Sequence, residues 1–158
     1  MAVRKIEILR AAWGTALLIA PERVLTDVHH LTVDTKSLVI ARILGVRHLT
    51  QAFLSGVSPS PEILAAGVWV DLAHASTAVG LAAADRSRAR GGLTDAAVAG
   101  AFAGLGYRDL TTSSAAVAGH DRRRDALARR VLRCLPGGRT LLRTATTASR
   151  SSRSSMRA

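Results

Sequence analysis

At 158 residues the chain is long enough for one domain and a modest core. Its hydrophobic share is 48% but its aromatic share only 3%, so packing has to rest on Ala, Val, Leu, Gly and Ser rather than on large rings. A single cysteine, Cys134, excludes an internal disulfide and a cysteine-based metal cluster. The formal net charge of +11 is unevenly placed. Residues 1–107 hold ten basic and eight acidic side chains, whereas 108–158 hold twelve arginines and three aspartates.

In chain order, Val3–Ala20 is predicted helical, with Ile6, Leu9, Trp13, Leu17 and Ala20 at three- and four-residue spacing. Glu7 and Arg10 interrupt any signal-peptide pattern, and Pro21-Glu22 stands where a cleavage site would fall, so this is read as a retained helix. Pro21 is expected to end it. Glu22–Lys36 follows as a polar connection with Asp34 or Thr35 as the next cap. A second helix is expected to run to about Ser55. After the turn Gly56–Pro61, a third helix starts on Pro61 and Glu62. Asp85–Gly92 reads as a charged loop, and Thr94 or Asp95 as the cap of a fourth helix reaching about Tyr107, with Gly100 and Gly104 as a close-packing face.

Residues 108–158 read as a basic, low-complexity tail after a helical domain at 1–107. Within the tail, 122–135 has the pattern of an amphipathic helix, with Leu127, Val131, Leu132 and Leu135 opposite arginines. Pro136-Gly137-Gly138 breaks it, and the Ser- and Arg-rich remainder is expected to be disordered. The expected fold class is therefore all-α: a small helical bundle of about four helices, membrane-embedded, with a partly disordered tail.

Ser37–Ser55 and Glu62–Ala84 are each long enough to cross a bilayer. Both carry charge near the middle: Arg42, Arg47 and His48 in the first, Asp71 and His74 in the second. In hydrocarbon such groups face one another or a wet cavity. Counted from the intervening turn, Arg47, His48 and Asp71 lie at similar depth, and Gln51 shares a face with Arg47. Arg42, Arg47, His48, Gln51, Asp71 and His74 are thus the candidate polar cluster, either a structural ion pair or a ligand or proton site. Two topologies remain open from the distribution of Lys and Arg: one spanning hairpin, or four spanning helices with both termini inside. A soluble bundle is the alternative to both.

His29 and His30 with Asp27 and Asp34 lack any recognised metal spacing, and so do His48, Asp71 and His74. No nucleotide-binding or hydrolase signature is present. No catalytic residue, metal or cofactor is therefore assigned. In the tail, Arg122, Arg123, Arg124, Arg129, Arg130 and Arg133 are expected to meet anionic lipid headgroups. Nucleic acid is the less favoured partner, because the tail lacks the aromatic platforms on which bases stack.

Three segments carry a resemblance: RAAWGTALLIAPERVL at Arg10–Leu25, ARILGVRHLTQAF at Ala41–Phe53 and VDLAHAST at Val70–Thr77. In these the chain resembles a group of small actinobacterial membrane proteins of about four helices. The resemblance implies R-x-L-G-x-R-H on helix two and D-x-x-H on helix three, falling on Arg42, Leu44, Gly45, Arg47, His48, Asp71 and His74. It implies residence in a bacterial inner membrane and no particular reaction. The functional expectation is an accessory or scaffold component, or a binder of a small polar ligand, with a cytoplasmic tail and an unidentified membrane partner. A membrane enzyme or proton-coupled carrier using His48, Asp71 and His74 is the alternative, and a tail-mediated nucleic-acid binder a further one.

Overall fold

The structure is a computed structural model that describes residues 5–56, 59–112 and 122–155. These residues are all-helical, with seven α-helices and no strand among them. In chain order they are α1 (Lys5–Ile19), α2 (Pro21–Arg23), α3 (Thr35–Ser55), α4 (Pro61–Ala84), α5 (Ala89–Thr111), α6 (Arg122–Cys134) and α7 (Gly138–Ser155).

α1 stops at Ile19, just before Pro21 as expected. Pro21 then takes the first position of α2, where its missing N–H is no loss, and α2 winds on through a π-helical turn at Val24–Val28. Much of the expected polar connection is therefore helical. Asp34 caps α3 in a reciprocal box: Ser37 N donates to its carboxylate at 2.6 Å, while Asp34 N donates to Ser37 Oγ at 3.0 Å. Ser60 caps α4, accepting from Ile63 N at 3.2 Å, and Pro61 opens the helix. The expected caps Thr94 and Asp95 lie inside α5, which begins at Ala89 after a short 3-10 turn at Arg86–Arg88.

The helices pair differently from the order that short turns suggest. The principal pairs are α1 with α3 and α4 with α5, and α3 touches α4 at few points. Within the first pair the backbones meet at glycines. A Cβ on Gly14 would stand 2.9 Å from Gly45 O, and one on Gly45 would stand 2.8 Å from Gly14 O. Gly100 and Gly104, expected as a packing face, have open space beside them. Close approach in the second pair falls at Gly92, whose absent Cβ would lie 2.8 Å from Ala78 O.

The segment expected to be disordered after Pro136 is instead the helix α7 through Ser155. Leu135, Pro136, Gly137 and Gly138 form a turn with Gly137 at φ 73°, where glycine carries no steric penalty, and Gly138 N donates to Leu135 O at 3.1 Å. This turn folds α7 back along α6. Leu132, Leu141 and Ala145 then join Leu64, Ala65, Val68 and Leu110 in one buried cluster. Low-complexity composition did not preclude order, because α7 carries apolar residues at 141, 145 and 148 on one stripe. The hairpin tip is pinned by Trp69 Nε1, which donates to Pro136 O at 2.8 Å.

Among the described residues one helix, Pro61–Ala84, is long and apolar enough to span a bilayer. Ser37–Ser55 does not meet that standard, because Arg42, Arg47, His48 and Gln51 lower its apolarity.

Candidate functional site

Asp71, in the middle of α4, has 0% exposure, and its carboxylate is the hub where the two helix pairs meet. The Arg10 fork engages it in two parallel bonds: Nη1 donates to Oδ1 at 3.0 Å and Nη2 to Oδ2 at 2.8 Å. Arg47 Nη2 donates to Oδ1 at 3.0 Å, and Gln51 Nε2 to Oδ2 at 3.3 Å. Bidentate guanidinium–carboxylate geometry is the strongest form such a contact takes. The same side chains also satisfy backbone carbonyls of α4: Arg47 reaches Val70 O at 3.2 Å and Gln51 reaches Gly67 O at 3.3 Å.

The cluster balances its own charge. Glu7 Oε2 lies 3.3 Å from Arg10 Nε, an ion contact without the alignment of a directed hydrogen bond. Two carboxylates thus face two guanidinium groups, which is how buried charge is tolerated. The Arg10 guanidinium also lies over the Phe102 ring of α5, 4.4 Å from its centroid. Four helices therefore contribute: α1 through Glu7 and Arg10, α3 through Arg47 and Gln51, α4 through Asp71, and α5 through Phe102.

The structure brings together Arg47, Gln51 and Asp71 from the candidate set and leaves the rest apart. Arg42 is exposed on another face of α3, as its five-residue offset from Arg47 requires. His48 is buried to 1% but packs its ring on Phe102, with centroids 5.6 Å apart, and both of its ring nitrogens lack a hydrogen-bond partner. His74 turns from Asp71 toward α5, where its Nε2 meets Asp95 Oδ2 at 2.7 Å. Arg10, Glu7, Phe102 and Asp95 were not in the set. The available signal for the first two was their place on the 7, 10, 14, 17 stripe of α1, shared with the packing glycine Gly14.

The space beside the cluster, bounded by Glu7, Arg10, Gln51, Asp71 and Phe102, amounts to about 10 Å³. That is at most room for one water molecule. No group of three or more His, Cys, Asp or Glu side chains among the described residues is arranged to hold a metal ion.

Elsewhere, His29 is buried with its ring stacked on Trp13 at 6.3 Å, and burial pushes its pKa below 6.5, against the raising effect of Asp95. At the α2–α3 end, Arg88 bridges Asp34 at 3.0 Å and Asp85 at 3.6 Å. At the opposite end, Arg129 pairs with Glu62 at 2.8 Å, Arg124 donates to Leu54 O at 2.9 Å, and Ser60 donates to Asp125 at 2.5 Å. Arg123, Arg130 and Arg133 are exposed, and the Arg122 side chain lies outside the described residues.

No family model, curated protein or solved structure matches the chain.

Proposed function

We propose that the chain is a small integral membrane protein of accessory or scaffold type, in which the Arg10–Asp71–Arg47 cluster locks two helix pairs together. One observation carries this reading: a charged cluster is sealed inside while many large apolar side chains face outward. Asp71 at 0% and Arg10 at 3% are sealed inside, while Ile43 at 62% and Phe53 at 84% face outward. Exposed apolar residues recur along α1, α3, α4 and α5, among them Leu9, Ile19, Ile40, Val46, Leu72, Val79 and Leu105. Exposed apolar side chains in this number are what contact with lipid or protein would cover. The apolar stretch of α4 is only 28% buried, whereas the core helix of a soluble protein would be mostly covered.

The near-absence of space beside Asp71 supports a lock over a ligand pocket. Orientation follows from charge. Arg124 and Arg129 lie at the end holding the α3–α4 turn, which is assigned to the cytoplasm. At the other end Arg88 is neutralised by Asp34 and Asp85, which reduces the conflict of a basic loop outside. Membrane residence is also what the resemblance to the small actinobacterial group implies.

Alkaline carbonate extraction of membranes, with protease mapping of both termini, tests the reading. Retention in the pellet with both ends cleaved only in inverted vesicles is expected; release into the supernatant rejects it.

A second reading, a proton-coupled carrier or membrane enzyme, draws on the contact of His74 with Asp95, a titratable pair that is only partly covered. Asp95→Asn separates the two readings. Normal accumulation with altered proton movement across vesicles favours the carrier, and unaltered proton movement favours the lock.

A further inference from the structure

The hairpin of α6 and α7 borders an open, solvent-facing cleft of about 720 Å³, lined by Arg129, Arg133, Arg139, Arg143 and Arg150 together with Glu62, Leu142 and two threonines. This volume falls in the range of small-molecule sites. The cleft is built by helical spacing rather than by a random run of charge. Arg129 and Arg133 are one turn apart on α6, as are Arg139 and Arg143 on α7, and Arg150 lies two turns beyond Arg143. The opposite stripes, with Ala128 and Leu132 on α6 and Leu141, Ala145 and Ala148 on α7, are buried. Folding the hairpin onto α4 therefore aims two rows of guanidinium groups at one space.

Glu62 answers Arg129 alone, at 2.8 Å. Among the described residues Arg133, Arg139, Arg143 and Arg150 make no ion pair or side-chain hydrogen bond. The chain has 22 basic against 11 acidic side chains, and Asp34, Asp71, Asp85 and Asp95 are engaged elsewhere. Converging guanidinium groups repel one another unless an anion sits between them. Their planar forks match the oxygens of a phosphate group in pairs.

We infer that this cleft is a binding site for a phosphate-bearing anion of more than one negative charge, either the headgroup of an acidic phospholipid or a free phosphorylated molecule. The Glu62–Arg129 pair closes one edge of the cleft, and the Pro136-Gly137 turn fixes the separation of its walls. The inference stands independently of membrane residence, since a soluble protein with this hairpin would keep the site.

The test uses the full-length protein in neutral detergent, titrated with inorganic pyrophosphate and, separately, with micelles doped with phosphatidic acid. Saturable binding of one equivalent is expected, and Arg139→Gln/Arg143→Gln should weaken it by about tenfold or more. Arg86→Gln/Arg90→Gln, which removes the same charge at the opposite end, should leave affinity unchanged. Saturable binding of the doped micelles alone assigns a lipid headgroup, of pyrophosphate alone a free phosphate compound, and of both a site that reads the phosphate itself. No saturable binding of either, or equal weakening in both double variants, overturns the inference. Preference for duplex DNA over both probes overturns it as well. Carbonate extraction of the same variants reports separately on membrane residence.

Discussion

Asp71 is held by four hydrogen bonds from three side chains on two other helices, so its removal leaves buried Arg10 with Glu7 alone and half-buried Arg47 without a carboxylate. Breaking a buried pair in this way costs about 3–5 kcal/mol. Asp71→Asn is expected to lower the denaturant midpoint of purified protein by a corresponding amount. The combined change Arg10→Met/Asp71→Leu should cost less than the two single changes together, because the Arg10–Asp71 contact is lost only once, while Glu7 and Arg47 still lose their partners. An unchanged midpoint in Asp71→Asn would remove the case for a lock. Gly45→Ala tests packing rather than charge. Its Cβ would meet Gly14 O and Leu18, and overpacking of that kind costs about 1–3 kcal/mol, read on the same titration. His29 supplies the pH dependence. Burial favours its neutral ring in the folded state, so the stability it contributes is full above pH 6.5 and falls as pH drops through the lowered pKa. Stability measured across that range should decline toward acid, and less so in His29→Gln.

At the scale of elements, the α6–α7 hairpin depends on its turn. Gly137 needs a positive φ, and a Cβ on Gly138 would collide with the Leu132 carbonyl. Gly138→Ala is expected to detach α7 from α4, making Arg143 and Arg150 rapidly cleavable by trypsin; unchanged cleavage would show that the turn tolerates the methyl group. The sequence pattern made some elements readable and hid others. The meeting of Arg47 with Asp71 was legible because a short turn sets the register of α3 against α4, and counting residues places both at one depth. Arg10 was not, because 61 residues separate it from Asp71 and no local spacing links them. Asp95 was misread as a cap, since an acidic residue after a glycine-rich loop looks the same whether it starts a helix or sits inside one. The helix α7 was hidden by its Ser, Thr and Arg content, in which only Leu141, Ala145 and Ala148 report a buried face.

For the molecule as a whole, all-helical architecture followed from the spacing of apolar residues, whereas the pairing of α1 with α3 and of α4 with α5 did not. Pairing is decided by where glycines allow backbones to touch, at Gly14 with Gly45 and at Gly92 with Ala78. The outward apolar surface gives a prediction at this scale. Ile43→Lys places a charge on an exposed position of α3. On a water-facing helix such a change is worth at most a few tenths of a kcal/mol. Near the centre of a membrane helix it costs about 2.5–3.5 kcal/mol. Membrane-fraction abundance of Ile43→Lys should therefore fall well below that of Arg42→Lys, and equal abundance would argue for a water-facing helix.

The clamp on Asp71 also dictates an order of events during synthesis. Arg10 leaves the ribosome long before its carboxylate partner exists, and Glu7 alone cannot replace the paired fork. In the bilayer reading, α1 waits at the lipid–water boundary until α4 emerges, and the first helix made is among the last to settle. A nascent chain arrested before residue 71 should leave its N-terminal segment open to labelling from the aqueous side, and extension past that point should close it.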